Sequence, residues 1–272
     1  MTESKGGPSD GLEDLEKRTI CLNGAAKVVY VSGDGPAVIV MTEMPGISLQ
    51  VARFARWVRD AGFRVYMPSL FGVDGTTATA DEGVAVFRRA CISAEFRAFA
   101  GHGASPVTDW LRALARLAHA EAGGPGVGAI GMCFTGNFAL SMMLEPVVLA
   151  PVLAQPSLPL DVPAALESPP GELAAVRARL EAEDLSVRAY RFAGDRICRA
   201  ERFAAYAEAL GEGFQPTVLP DSAAATGVDP FFRAHVPYPH SVVTQHLIDS
   251  AGEPTIKARD SILEFFAMRL KR

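Results

Sequence analysis

The sequence predicts an α/β fold in which a mostly parallel sheet carries helices on both faces. Apolar strand patterns at residues 37–42 and 187–193 alternate with segments whose apolar residues recur at helical spacing. Parallel strands need a crossover connection, and an intervening helix provides it. A length of 272 residues suits one α/β domain. We therefore predict a single domain over residues 13–272, preceded by a mobile polar tail at residues 1–12.

The first half of the domain is predicted to contain strands on either side of a helix. Strands at residues 27–32 and 37–42 are separated by Gly33-Asp34-Gly35, which predicts a hairpin-like turn. Apolar residues then recur on one helical face, at Ile47, Val51, Phe54, Val58 and Ala61. Gly62 ends this helix, and a strand follows at residues 64–67.

The second half continues the alternation of strands and helices. Ser105 and Pro106 form a helix-start signal, a capping residue followed by proline at the first helical position. Thr255 is likewise predicted to cap the closing helix. Before Ser105, the insert at residues 73–104 is predicted to be helical over about 81–100. The remaining elements are predicted as strands at residues 147–153 and 215–219 and as helices at residues 171–184, 200–210 and 255–270.

Composition excludes several classes of function. Hydrophobic residues make up 49% of the chain and charged residues 21%, as in an ordinary globular protein. The net charge of −5 argues against a nucleic-acid partner. The cysteines show no CxxC spacing and are too sparse for a disulfide scaffold, so we predict a reduced, cytoplasmic compartment. We expect no membrane association, because no apolar run approaches the roughly 18 residues that cross a bilayer.

The most informative motif surrounds Cys133. Small and apolar residues at 127–130 predict a buried strand, and Asn137 opens a helical pattern. Between them, Cys133 is flanked by Gly131 and Gly136. This order is typical of a nucleophile elbow, a sharp turn that points the nucleophile into a cleft and places the next backbone N–H beside the reacting carbonyl. The alternative is a buried structural cysteine.

Two later residues are candidates to activate Cys133. A thiolate attacks carbonyl carbon, so a cysteine nucleophile needs a base. In enzymes with such an elbow, an acid and then a histidine follow the nucleophile along the chain. Asp195, directly after a predicted strand, is the candidate acid, and His240 is the candidate base that takes the thiol proton. His235 and His246 are the alternatives for the base.

The segment after the strand at residues 37–42 offers two further candidates. The backbone N–H groups of Met44 and Phe134 are predicted to form an oxyanion hole. Glu43 is predicted to lie at the carboxyl edge of the sheet, where ligands bind in open α/β folds. The alternative role for Glu43 is to cap the following helix, since a carboxylate suits a helix N-terminus.

These motifs resemble those of the dienelactone hydrolase family, cysteine-dependent α/β-hydrolases that act on small cyclic enol esters. The resemblance covers about residues 25–270. It rests on four anchors, Gly131-Met132-Cys133, Glu43, Gly194-Asp195 and His240-Ser241. It implies the α/β-hydrolase fold, a catalytic triad and a thioester intermediate.

The resemblance also implies individual roles. Cys133, Asp195 and His240 correspond to the triad, and Met44 and Phe134 to the oxyanion-hole amides. Glu43 corresponds to a buried carboxylate that is linked to switching the thiol on when substrate binds. The family's substrate is anionic and is held by arginines, for which Arg97 is the candidate in this chain.

Two residues depart from the family pattern. Thr135 stands where the elbow usually carries glycine, and a β-branched residue is expected to be costly in so tight a turn and to reshape the pocket. Thr244 stands where enzymes that cleave dienelactone carry a substrate-binding arginine. Dienelactone itself is therefore a poor candidate for the substrate.

The sequence thus predicts a hydrolase of small esters or lactones that uses Cys133, His240 and Asp195 and needs no metal or organic cofactor. Its partner would be a small-molecule substrate, with no nucleic acid and no membrane, in a monomer or a dimer. Two alternatives stay open. The first is a catalytically idle α/β-hydrolase domain that binds a small molecule or a protein. The second is a peroxide sensor, because an activated thiolate is also oxidisable.

Overall fold

The computed structural model describes residues 11–72, 74–92, 105–160 and 162–271. Eight strands in this part of the chain form one sheet. In chain order they are β1 (Glu16–Leu22), β2 (Ala25–Ser32), β3 (Ala37–Met41), β4 (Arg64–Pro68), β5 (Val127–Met132), β6 (Val148–Ala154), β7 (Val187–Phe192) and β8 (Phe214–Leu219). Their order across the sheet is β1-β2-β4-β3-β5-β6-β7-β8.

Helices connect the strands. In chain order they are α1 (Leu49–Asp60), α2 (Ala80–Ile92), α3 (Pro106–Ala122), α4 (Phe138–Ser141), α5 (Pro170–Ala182), α6 (Ala200–Leu210), α7 (Pro230–His235) and α8 (Pro254–Leu270). The pairings from β4 through β3 to β8 are all parallel, whereas β1 and β2 pair antiparallel. The predicted mostly parallel sheet is confirmed.

The helices cover both faces of the sheet, as predicted. Neighbouring residues of β3 alternate between two cores, because successive side chains of a strand point to opposite faces. Ile39 packs in the core that contains α3, α5 and α6, and Val40 packs in the core that contains α1 and α8. Because these strands are parallel, their carboxyl ends lie at one edge of the sheet, and the loops that follow β3, β5, β6 and β7 meet there.

The prediction that the turn at residues 33–35 joins two paired strands is wrong. Gly33 and Gly35 do have positive φ angles, as a tight turn requires. However, β4 lies between β2 and β3, antiparallel to β2 and parallel to β3. The local sequence produces the turn, but β4, which pairs with β2 on this side, follows α1 in the chain.

The N-terminal region holds a strand that the sequence did not predict. β1 is an edge strand, and only Ile20 within it is buried, so it lacks a continuous apolar pattern. Of the predicted tail, Gly11 and Leu12 are described, and Leu12 packs into the same core as α1. The rest of the tail lies outside the described residues.

Helix ends follow the sequence signals with one exception. Ser48 and Ser105 cap α1 and α3, accepting hydrogen bonds from backbone N–H groups three residues on. Thr255 does not cap the closing helix, because α8 begins with Pro254 and Glu253 is the cap position. The Thr255 hydroxyl instead accepts a hydrogen bond from the Ile248 N–H at 3.0 Å. The predicted helix in the insert is confirmed over α2, and its remainder lies outside the described residues.

Candidate active site

Cys133 lies in a sharp turn between β5 and α4. It is the first residue after β5 and has a φ of 54°, a left-handed conformation that non-glycine residues seldom adopt. A Cβ on Gly131 would lie 2.0 Å from the Thr135 carbonyl oxygen, and one on Gly136 would lie 2.5 Å from Pro156 Cα. These two glycines are therefore required by close backbone approach, as an elbow demands.

The conformation of Thr135 contradicts the expectation that this residue strains the turn. It has no positive φ, and its buried side chain makes hydrogen bonds at the end of the strands. Its hydroxyl accepts from the Met132 N–H at 2.9 Å and lies 3.1 Å from the carbonyl oxygens of Met132 and Thr42 and 3.3 Å from that of Met41. The threonine therefore ties the turn after β5 to the end of β3.

Asp195 and His240 are brought together by the loops after β7 and β8. Their side chains are fully buried, and His240 Nδ1 lies 2.7 Å from Asp195 Oδ2. The other carboxylate oxygen accepts the backbone N–H groups of Ile197 at 2.9 Å and Cys198 at 3.1 Å. Asp195 is thus fixed by its own loop and fixes the orientation of the imidazole ring.

The second nitrogen of His240 is directed away from Asp195. His240 Nε2 has no hydrogen-bond partner of normal geometry among the described residues, although His240 and Cys133 line one cavity. Burial lowers the pKa of His240, but electrostatic interaction and hydrogen bonding with Asp195 and Cys133 outweigh burial and hold the pKa well above 6.5. A high histidine pKa favours transfer of the proton from a neighbouring thiol to the imidazole, which leaves a thiolate.

The other two histidines considered from the sequence lie in different positions. His235 is exposed at the end of α7. His246 is buried, and its ring Nδ1 accepts a hydrogen bond from the Ser241 backbone N–H at 3.1 Å, while the His246 backbone N–H donates to the Ser241 carbonyl at 3.0 Å. Burial lowers the pKa of His246 to about 4. His246 therefore closes the loop that carries His240, a role that sequence order alone did not indicate.

Glu43 is a buried carboxylate held by neutral donors. It accepts hydrogen bonds from Ser241 Oγ at 2.6 Å, from Thr244 Oγ1, and from Gln155 Nε2 at 3.4 Å. Burial raises the pKa of Glu43, and the two hydroxyl donors oppose this shift. The alternative role as a helix cap is excluded, because Ser48 caps α1.

Gln155 is a site residue that the sequence analysis missed. It directly follows β6, has a φ of 38° and is fully buried. Its amide donates to Glu43 and its carbonyl oxygen accepts the Val242 N–H at 3.2 Å, so it joins the carboxylate to the His240 loop. The signal available in the sequence was its place at the end of a central strand.

The remaining predicted residues are distributed as follows. Met44 and Phe134, the candidates for the oxyanion hole, line the cavity beside Cys133. Thr244 is fully buried, and its hydroxyl donates a hydrogen bond to Glu43. Arg97 lies outside the described residues. Among the described residues, no three His, Cys, Asp or Glu side chains are grouped so as to hold a metal ion, and no described helix is long and apolar enough to cross a membrane.

The fold and the turn at Cys133 define the class of protein, an α/β-hydrolase. The family model described as "Dienelactone hydrolase family" matches residues 25–173, more than half of the chain. The chain therefore belongs to the dienelactone hydrolase family.

Solved structures of this fold resemble the chain at low sequence identity. A protein assigned as a dienelactone hydrolase from Klebsiella pneumoniae has a TM-score of 0.63 and 17% identity, with 93% of this chain and 98% of that chain covered. A dienelactone hydrolase-like promiscuous phosphotriesterase from metagenomic libraries has a TM-score of 0.63 and 18% identity, covering 94% and 99%. An α/β serine hydrolase from Xanthomonas campestris has a TM-score of 0.53 and 13% identity, covering 96% and 97%. No curated protein sequence matches the chain significantly.

Proposed function

We propose that this α/β-hydrolase cleaves small esters or lactones through a thioester on Cys133. His240 acts as the general base and acid, and Asp195 orients its ring. The observation that carries the proposal is the buried 2.7 Å hydrogen bond between His240 Nδ1 and Asp195 Oδ2, with Cys133 and His240 lining the same cavity. Because Asp195 accepts the hydrogen bond from Nδ1–H, Nε2 is left to exchange a proton with the thiol.

The first half of the reaction forms the thioester. His240 Nε2 takes the proton from Cys133 Sγ, and the thiolate attacks the carbonyl carbon. The carbonyl oxygen becomes an oxyanion, which the N–H groups of Met44 and Phe134 stabilise. The carbon–oxygen bond to the leaving group then breaks, and the departing alkoxide takes the proton from His240.

The second half releases the acid. His240 removes a proton from a water molecule, which attacks the thioester carbonyl. The carbon–sulfur bond breaks, and the thiolate of Cys133 regains its proton from His240. A water oxygen and hydrogen have been added across the ester, and the enzyme returns to its starting state.

Hydrolysis of 4-nitrophenyl acetate tests this proposal. We expect a burst of nitrophenolate and an acetyl adduct on the intact protein mass, both absent in Cys133→Ala. His240→Ala is expected to lose at least about a hundredfold in rate, within the range for general base catalysis. Cys21→Ser is the matched control, because Cys21 is an exposed thiol outside the site, and it should leave the rate unchanged.

Other outcomes separate the alternatives. Activity that survives Cys133→Ala would refute this nucleophile. Sulfenic acid formation on Cys133 without turnover of any ester would favour a peroxide sensor. Neither turnover nor an adduct would indicate a domain that only binds.

A further inference from the structure

The cavity beside Cys133 is lined almost wholly by apolar side chains. Its free volume, including the part that is open to solvent, is about 400 Å³. Its wall consists largely of Phe87, Phe134, Phe231, Phe232, Leu160 and Ile197. Among the described lining residues, the only ionisable groups are Cys133 and His240 themselves. The Ser157 hydroxyl, the other polar group of the wall, already donates to the Gln155 carbonyl at 2.9 Å.

The aromatic side of this wall is built by α7 packed on α2. Phe231 and Phe232 of α7 lie with ring centroids 5.6 Å apart in an edge-to-face contact. A Cβ on Gly83, inside α2, would lie 2.1 Å from Cδ2 of Phe231. Glycine is unfavourable inside a helix, so its presence here is explained by this close approach. The position of α7 over the cavity is therefore set by specific packing.

Two arginines adjacent in sequence to wall residues, Arg196 and Arg233, are not among the described residues that line the cavity. Arg196 stacks on the Tyr238 ring at 5.4 Å. Arg233 donates to the Val228 carbonyl at 3.2 Å. A carboxylate in the cavity would lose its hydration, and the one cationic group among the described lining residues, His240, is already paired with Asp195, which makes this position unfavourable for a second carboxylate. An apolar chain in the same place would be transferred from water into a matching environment.

We propose that the acyl group of the substrate is uncharged and apolar, and that it occupies the cavity between α7, α2 and Cys133. The preferred substrates are then esters or lactones of unsubstituted short-chain or medium-chain acids, and not of acids that carry a second carboxylate. This inference rests on the proposed function, because the acyl carbon is placed by the attack of Cys133.

A series of esters with one leaving group tests the inference. The probes are the 4-nitrophenyl esters of acetate, butyrate and hexanoate, together with the 4-nitrophenyl monoester of succinate. We expect kcat/KM to rise about fourfold for each added methylene until the cavity is filled, which corresponds to about 0.8 kcal/mol per buried CH₂. Succinate has the chain length of butyrate but ends in a carboxylate, and its monoester should react at least about a hundredfold more slowly. Equal or faster reaction of the succinate ester would overturn the inference.

Substitutions that add or remove a cation locate the recognition. Leu160 lines the cavity and is 37% exposed, so Leu160→Arg can be accommodated, and it should slow the hexanoate ester and speed the succinate ester. Val218→Arg is the matched control at an exposed apolar residue of β8, and it should change neither rate. A preference for the succinate ester that disappears in Arg97→Ala would assign anion recognition to Arg97 and overturn the inference.

Different results would refute hydrolysis through Cys133 and recognition of an apolar acyl group. Absence of an acyl adduct with every ester would refute hydrolysis through Cys133. An adduct that forms fastest with the succinate ester would leave that chemistry intact and refute only the apolar acyl group. Binding adds a readout without turnover: in Cys133→Ala, the hexanoate ester should raise the melting temperature more than the succinate ester does. The reverse order would contradict the inference.

Discussion

The hydroxyl of Thr135 is expected to contribute more to stability than its methyl group. Thr135→Val keeps the shape of the side chain but removes the acceptor for the Met132 N–H and the donor to the surrounding carbonyls. An unsatisfied buried donor costs about 1–3 kcal/mol, and a lost neutral hydrogen bond about 1 kcal/mol. Thr135→Val should therefore lower the free energy of unfolding by about 2–4 kcal/mol.

Thr135→Ser makes the complementary change. It keeps the hydroxyl and removes one buried methyl group, for which we expect a loss of about 1 kcal/mol. Thr217→Val is the control for the substitution itself, because Thr217 is exposed on β8. Its effect should lie within about 0.5 kcal/mol of zero.

Urea denaturation followed by circular dichroism measures all three variants. The expected order of stability is parent, Thr217→Val, Thr135→Ser and then Thr135→Val. A Thr135→Val protein as stable as the parent would refute the role assigned to the hydroxyl. A Thr135→Ser loss equal to that of Thr135→Val would show that packing of the methyl group, and not hydrogen bonding, holds this turn.

Three further predictions follow from the site and its wall. Burial raises the pKa of Glu43 above 4.5, so this group favours the folded state most below pH 4.5 and loses that contribution as the pH rises through its folded pKa. Glu43→Gln should therefore gain stability over the parent between pH 4.5 and pH 8 in urea titrations, and a constant difference would contradict this. Burial lowers the pKa of His246 from 6.5 to about 4, a stabilisation of about 3 kcal/mol that is present above pH 6.5 and lost as the pH falls toward 4. Between pH 7 and pH 4 the parent should lose more stability than His246→Asn, and equal slopes would contradict the assignment. Gly83→Ala places a Cβ against Phe231, so kcat/KM should fall more for hexanoate than for acetate esters; an unchanged ratio would count against the placement of α7.

The parallel part of the fold could be predicted because each buried strand is a continuous apolar segment bounded by a helix signal. The predicted ends of β7 lie within one residue of the observed ends, and those of β5 within two. The pairing of β2 could not be found in this way, because strand order depends on where α1 returns the chain. β1 was not predicted, because only Ile20 in it is buried and its residues therefore show no apolar run.

The candidate site could be predicted where chain order constrains it. Cys133, Asp195 and His240 each stand in the loop after a strand, so their sequence positions carried the information. His246 carried no comparable signal, and the place of Gln155 directly after β6 did not reveal its role, since both roles depend on hydrogen bonds to backbone groups of the His240 loop. Such contacts arise only when loops that are distant in sequence meet at the edge of the sheet.

Glu43 illustrates why a buried carboxylate can be retained although burial opposes its charge. Its hydroxyl donors, Ser241 and Thr244, both lie on the loop that begins with His240, and its amide donor Gln155 holds Val242 of the same loop. A neutral side chain could not accept all three donors as strongly, because hydrogen bonds to an ionised acceptor are about twice as strong as neutral ones. The carboxylate therefore exchanges overall stability at high pH for a fixed position of His240. Within this loop His240 lines the cavity beside Cys133, whereas the hydroxyl groups of Ser241 and Thr244 are directed to Glu43.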